Sequence, residues 1–433
     1  MDIHKLKLET DEILLSEHVT NLQKRYQEVI EKNKIGGLFL HRGVTRAKNT
    51  LDDYEWPLAL TPYFLHWAPD ASLDSGILIT ATDVCLFQIA HNNYWEGPAP
   101  RLVSGDKFYS KKTVAAFKNI LFPKKTLFLG DDITLAKDLS LSLISPEILA
   151  ELNHIRTHKT AYELKCLLAA TEKALKAHKI IKEQFFNGEP VSEFSLQSDY
   201  LRSTQQTLFE TPYQPIMAFG RNAAILHHVY YSKILNTNAD ESLLVDAGAS
   251  VQYYASDITR TYCRGQSTAA GDFRGLIDAL NKTQQGIGRK FIVGIEYEEL
   301  HNEAHLDLAK ILLDTGVLQN ISADEAVASG LTRTFLPHGL GHSLGIQVHD
   351  VGLKTKAPSS NNPYLRNTSK VEARQVCTIE PGIYFIESLL KQVEGHAAVN
   401  WKTVDRLKPF GGIRIEDNIY ADQSGPINIT RSF

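Results

Sequence analysis

The sequence contains no long hydrophobic run: no stretch of 18 apolar residues occurs, so no helical membrane span is expected. Its opening, MDIHKLKLETDEILLSEH, is too charged to supply the apolar stretch of a signal peptide. Cysteine is scarce and scattered. Cys85, Cys166, Cys263 and Cys377 form no CxxC pair, and in a chain of 433 residues they read as reduced thiols. An excess of one charge is missing as well. With 46 Lys+Arg against 50 Asp+Glu, nothing advertises a nucleic acid or an anionic membrane as partner. There is no internal repeat and no low-complexity tract, and the glycine-rich segment HGLGHSLG is not followed by the GK[ST] of a phosphate-binding loop. These absences lead us to expect a cytoplasmic globular protein.

An apolar content of 43% with 22% charged residues gives ample material for a core, and the length suggests two domains. Residues 16–33 repeat apolar positions at helical spacing, and IGGLFLHRG after them reads as a buried strand. The runs SGILITAT, DVCLFQIA and KTLFLGDD continue the strand pattern, with a helix predicted at KKTVAAFKNIL between the last two. Alternation of this kind predicts an α/β domain over residues 1–157. Residues 158–433 read differently. A long helical pattern with Leu164, Leu167, Leu168, Leu175, His178 and Ile181 near one face opens the segment, and a helix capped by Ser192 follows. Two more helices are predicted at 272–291 and 297–316, with strands around 243–263, 375–386 and 413–421. Helices and strands in separate blocks predict α+β, with helices backing a curved antiparallel sheet.

Five potential metal ligands run in order through this second half: Asp246, Asp257, His342, Glu380 and Glu416. Four carboxylates and one imidazole bring more negative charge than one divalent cation needs, which suits two hard cations sharing carboxylates. Without cations they would be mutually repelling acids in one pocket. The pattern points to a hydrolase. Asp246 and Asp257 flank a predicted hairpin, and their odd separation of eleven lets them lie directly opposite each other on one face. The glycines at 339, 341 and 345 permit turns that bring imidazoles close to a buried site. Glu380 ends the run QVCTIE, fixed by Pro381 and Gly382. Arg414 and Glu416, two apart, share a strand face, while Ile413 and Ile415 point into the opposite layer. A set of oxygens with one imidazole favours manganese, with cobalt or zinc able to substitute in vitro.

The segments TPYQPI, AAILHH, VDAGA, DITRTY, HGLGHSLGIQVHDVG, PYLRNTSK, TIEPGIYFIESLL and LKPFGGIRIEDN resemble the pita-bread metallopeptidases, the superfamily of methionine aminopeptidase, aminopeptidase P and prolidase. Within it the chain is most similar to bacterial Xaa-Pro dipeptidase (prolidase), including its organophosphorus acid anhydrolase branch. LQKRYQEVIE and LDDYEWP extend the likeness weakly into the first 157 residues. The resemblance implies a pita-bread catalytic domain after an N-terminal domain that serves oligomerisation and pocket closure.

It also implies roles. Asp257 and Glu416 bridge two metals, Asp246 completes one site, and His342 and Glu380 complete the other. His349 faces substrate, and His227, Tyr213, His338, Arg366 and Arg414 line the rest of the pocket. Trp95 matches a tryptophan that in relatives reaches the neighbouring subunit's site, although QIAHNNYWEGP is rearranged around it; a homodimer is implied. His228 departs from the pattern, standing where many relatives have tyrosine. The implied reaction uses a hydroxide shared by two Mn²⁺ ions to attack the carbonyl before proline in a dipeptide. Glu380 would carry the proton toward the leaving nitrogen, and His227 and His349 would meet developing charge. A side activity on organophosphorus triesters would use the same hydroxide. Two alternatives are an aminopeptidase P-like enzyme acting on longer peptides and a non-catalytic pita-bread module that binds peptides. FIESLL and PYLR favour the dipeptidase.

Overall fold

In the computed structural model, which describes residues 6, 8–51, 54–69, 74–89 and 109–433, the first helical repeat becomes α1 (Asp11–Lys32). Its buried face is Leu14, Leu15, Val19, Leu22, Tyr26, Val29 and Ile30. The chain divides into two compact units, Asp2–Lys165 and Cys166–Phe433, so the division falls inside the helix Ala161–Phe186. No helix among the described residues is long and apolar enough to cross a membrane. The four cysteines are buried and form no disulfide with one another.

The first unit is built on a six-stranded sheet of β1 (Gly37–His41), β2 (Ser75–Ile79), β3 (Val84–Ile89), β4 (Ser110–Val114), β5 (Thr126–Leu129) and β6 (Ser142–Leu143), in the order β4-β3-β2-β1-β5-β6. The pairs β1–β2 and β2–β3 are antiparallel, whereas β1–β5, β3–β4 and β5–β6 are parallel. The helix expected at residues 111–121 is not formed. Its first half is the edge strand β4, and its second half holds a short 3-10 turn, Phe117–Asn119. Thr113 and Val114 are β-branched and fit the pleat, and Lys111 and Lys112 are exposed, as edge strands favour. Phe117 then turns inward, its ring 5.5 Å from that of Phe39 in a core shared with Phe87 and Phe128.

Among the described residues the second unit carries four small antiparallel sheets backed by helices, one of them a short two-stranded ribbon. Strands β7 (Ile216–Phe219), β8 (Glu241–Asp246) and β9 (Thr259–Arg264) form one, in the order β9-β8-β7. Strands β10 (Val376–Ile379), β13 (Asp417–Asp422) and β14 (Gly425–Asn428) form the second, and β11 (Gly382–Tyr384) pairs with β12 (Gly412–Arg414). A single bridge between Thr259 and Glu416 ties the first sheet to the strand segment between β12 and β13. Helices α2 (Thr268–Gly288) and α3 (Tyr297–Asp314) cover the layer with Phe273, Leu276, Leu280, Leu308 and Leu312, which join Ile383, Ile413 and Ile415 in one core. Burying Ile413 and Ile415 leaves Arg414 and Glu416 on the other face, as their spacing requires.

The hairpin that bears the two aspartates has a different register from the expected one. Asp246 lies opposite Thr259, and Asp257 is two residues further along. The turn sets this. Gln252 and Tyr253 both have positive φ (51° and 67°), the pattern of a two-residue type I′ turn, and the ribbon pairs Ser250 with Ala255 and Val251 with Tyr254. Continuing that register puts Thr259 across from Asp246. Asp257 keeps the same face because a shift of two preserves parity.

Candidate metal centre

His342 is placed by a backbone that only glycine permits. A Cβ on Gly341 would come within 2.1 Å of the Thr378 carbonyl oxygen, and one on Gly339 within 2.9 Å of that of Tyr364. The loop therefore packs flush against β10, where the His342 backbone N–H donates to Thr378 Oγ1 at 3.0 Å. Its Nδ1–H donates to the Ser343 carbonyl at 3.1 Å, which leaves Nε2 as a bare lone pair. That nitrogen is 3.3 Å from Asp257 Oδ2 and 3.5 Å from Glu380 Oε1.

Asp257, His342 and Glu416 offer ligand atoms that all lie within 4.8 Å of one another, and all three are buried. Glu380 adjoins them through His342. Asp246, also buried, is held by Arg414, whose Nη2 donates to Asp246 Oδ2, while Asp246 Oδ1 has no partner among the described residues. Tyr213 donates to Asp257 Oδ1 at 2.5 Å and Thr259 to Glu416 Oε2 at 2.7 Å. Arg414 is further fixed by Thr259 Oγ1 and by the Tyr384 hydroxyl, which accepts from Nη1 at 2.8 Å. That hydroxyl donates to His338 Nε2 at 2.8 Å, because His338 Nδ1–H is spent on the Gly339 carbonyl.

The electrostatics are those of crowded acids. Burial pushes Asp257 and Glu416 well above the usual carboxylate range, with Asp246 adding to the first and Asp257 and Asp246 to the second. Burial, then Glu416, raises Glu380 to about 8. Burial lowers His342 and brings His338 down to about 3, so both imidazoles are neutral. Neutral imidazole and carboxylate oxygens are ligands for divalent cations, and cations would relieve the repulsion among the acids. The orphaned Asp246 Oδ1 is a further donor left for such an ion. The residues present fit a pair of hard divalent cations.

His349 is exposed and stacks edge-on over His342, ring centroids 4.3 Å apart. His227 is exposed too, and its proximity helps to lower both His338 and His349. Arg366 is exposed, makes no hydrogen bond with the described residues, and lowers both His342 and His349. Trp95 lies outside the described residues.

Three residues without an expected role in the site hold this arrangement. Tyr384 joins Arg414 to His338, and its motif EPGIY had been noticed without giving the tyrosine a role. His178 donates from Nε2 to the carbonyl of Ala247 at 2.8 Å and anchors the chain just after Asp246. Glu193, fully buried, accepts from the Phe219 and Ser232 backbone N–H groups, Asn222 Nδ2 and His228 Nε2, at 2.8–2.9 Å. It thus clamps the segment that carries His227. Burial would raise this carboxyl, but the four hydrogen bonds outweigh it and hold Glu193 low. His228, the departure from the tyrosine pattern, has its partner here.

The family model of metallopeptidase family M24 matches residues 165–423, and that of the Xaa-Pro dipeptidase N-terminal domain matches residues 13–146. The chain is 36% identical to the Xaa-Pro dipeptidase of Pseudoalteromonas haloplanktis, covering 97% of this chain and 98% of that one. It is 38% identical to the Xaa-Pro dipeptidase of Shewanella woodyi, over 96% and 97%. Among solved structures, Escherichia coli aminopeptidase P with the inhibitor Pro-Leu superposes with a TM-score of 0.75 at 20% identity, covering 96% of this chain and 95% of that one. Proline aminopeptidase P II from Yersinia pestis gives 0.73 at 22%.

Proposed function

Because the chain belongs to metallopeptidase family M24, with Xaa-Pro dipeptidases as relatives along nearly its whole length, we propose that it hydrolyses dipeptides with a C-terminal proline. The protein is a metal-dependent hydrolase. The observation that carries the reading is the convergence of Asp257, His342 and Glu416 on one point, with Asp246 and Glu380 beside it. The aminopeptidase P reading is supported by shared fold alone, at about 20% identity.

Asp246, Asp257, His342, Glu380 and Glu416 would hold the two cations, with Asp257 and Glu416 shared between them, Asp246 serving one and His342 with Glu380 the other. Manganese is the proposed metal, on the hardness of the ligand set. When bound, the cations supply Lewis acidity that makes a water nucleophilic at neutral pH. Everything else is done by side chains. Tyr213 and Thr259 fix the bridging carboxylates by donating to them. Arg414 neutralises Asp246 and keeps it aimed. Glu380, next to His342 and 3.9 Å from His338 Nδ1, takes the proton of the attacking water and returns it to the leaving imino nitrogen. His227 and His349 hydrogen-bond the carbonyl oxygen as it gains charge. The homodimer, the part of Trp95 in it and the cytoplasmic setting rest on the resemblance and composition.

His342 and His338 should separate cleanly. His342→Ala is expected to lose both metal content and turnover, whereas His338→Ala should keep its metal by elemental analysis. The reverse pattern would show that the two histidines of HGLGH have been exchanged.

Substrate recognition is the sharper test. A dipeptidase needs to recognise a free carboxylate on proline, and the Arg366 guanidinium beside the site, without a partner among the described residues, is suited to bind it bidentately. Arg366→Ala is expected to raise KM and cost on the order of 2–3 kcal/mol in kcat/KM on an Xaa-Pro dipeptide, the scale of a charged hydrogen bond. A phosphotriester has no carboxylate, so any turnover of one should change little. Equal losses on both would make Arg366 structural, and unchanged dipeptide kinetics would place the carboxylate elsewhere.

A further inference from the structure

His338 also forms part of the wall of a second cavity, of about 360 Å³, outside the metal centre. His301 and His305, one turn apart on α3 with rings 4.7 Å from each other, face it together with Arg333. Among the described residues the lining contains no aspartate, glutamate or lysine, and Arg333 is its one formal charge. Asparagine and glutamine amides (Asn361, Gln392) supply neutral donors, and Leu336, Leu389 and Val393 supply an apolar side. Glu298, three residues before His301 on α3, is committed elsewhere, accepting from Ser359 and Asn362.

The polar groups here are under-used. His301 is 3% exposed and has no hydrogen-bond partner among the described residues, its Nδ1 being buried and unpaired. His305 uses Nδ1 on Thr332 Oγ1 at 3.1 Å and leaves Nε2 without a protein partner. Arg333 donates Nη1 to the Asn361 carbonyl at 3.2 Å and has four N–H groups left. Buried polar groups are normally paired, and His301 Nδ1, buried and unpaired beside a basic cavity, has a partner to gain there. Two histidines at this spacing can also hold a transition metal. Against that, the described residues bring no third ligand within reach of the pair, and Arg333 would repel a cation.

We propose that this cavity binds a small organic anion, a carboxylate or a phosphate monoester with an apolar body. Arg333 takes the acidic head, His301 and His305 donate to it, and the leucine and valine side takes the body. The volume falls in the range of small-molecule pockets. The site is distinct from that of the substrate carboxylate, since Arg366 does not line it.

The test is calorimetric titration of the manganese-loaded protein with benzoate and with phenyl phosphate, in wild type, Arg333→Gln, His301→Phe and Arg366→Ala. Binding of at least one probe is expected in wild type and in Arg366→Ala. Arg333→Gln and His301→Phe should each weaken it at least tenfold, and Arg333→Gln should leave dipeptide turnover unchanged. The tighter probe identifies the head group. The proposal is overturned if neither probe binds, if both basic-site variants bind as wild type does, or if only Arg366→Ala loses binding.

Discussion

Replacing Asp257 with alanine is expected to lower kcat/KM for an Xaa-Pro dipeptide by about four orders of magnitude or more, the scale of losing activation by metal ions. Glu416→Ala should do the same. Both carboxylates are buried, and both stand within 4.8 Å of a ligand nitrogen of His342. A bridging carboxylate serves two cations, so its removal takes a ligand from both. Neither replacement opens the hydrophobic core, because both side chains face the acids and not the Ile413–Ile415 layer. Elemental analysis of the manganese-reconstituted variants should find clearly fewer than the two metals per chain expected of wild type. Full activity in either variant would remove the bridge assignment.

Stripping the metals should make stability depend on pH in an unusual direction. In the folded chain without cations, Glu380 titrates at about 8 against an ordinary value of 4.5, mainly through burial and then through Glu416. Asp257 and Glu416 are raised as well. Between the ordinary and the raised values the folded state holds protons that the unfolded chain has released. Stability is therefore full below the ordinary carboxylate range and falls as pH rises toward 8. Glu380 alone would account for a loss on the order of 5 kcal/mol at most, from about 1.4 kcal/mol per pKa unit over the shift from 4.5 to about 8. The chelated protein is expected to show a Tm that drops steadily between pH 5 and 8, while the loaded protein, its acids held as ligands, should not. Thermal melts with and without chelator would check this, and a chelated Tm that stays flat or rises across the window would contradict it.

Four of the five candidate ligands stood out because each sits in a short segment whose backbone demands are written in its residues: apolar strand before Asp246 and Glu380, glycines around His342, alternation around Glu416. The register of the aspartate hairpin was not. A type I′ turn usually announces itself with asparagine or glycine, and here Gln252 and Tyr253 adopt it instead. Residues 111–121 misled for a related reason. Local spacing there suits a helix, but an edge position beside β3 and the pull of Phe117 into the Phe39 core decide otherwise. Glu193 had no signal at all. One glutamate after a helix cap looks like any first-turn acid until the fold brings four donors to it from residues 219–232.

The claim that two metals and a carboxylate-binding pocket make a dipeptidase meets its most direct test in one side-by-side assay. Manganese-reconstituted wild type is given an Xaa-Pro dipeptide and the same sequence extended by one residue beyond proline. Cleavage before proline should be fast on the dipeptide, slower by at least tenfold in kcat/KM on the extended peptide, and absent from both after chelation. Equal or faster cleavage of the extended peptide, or activity that survives chelation, would contradict it.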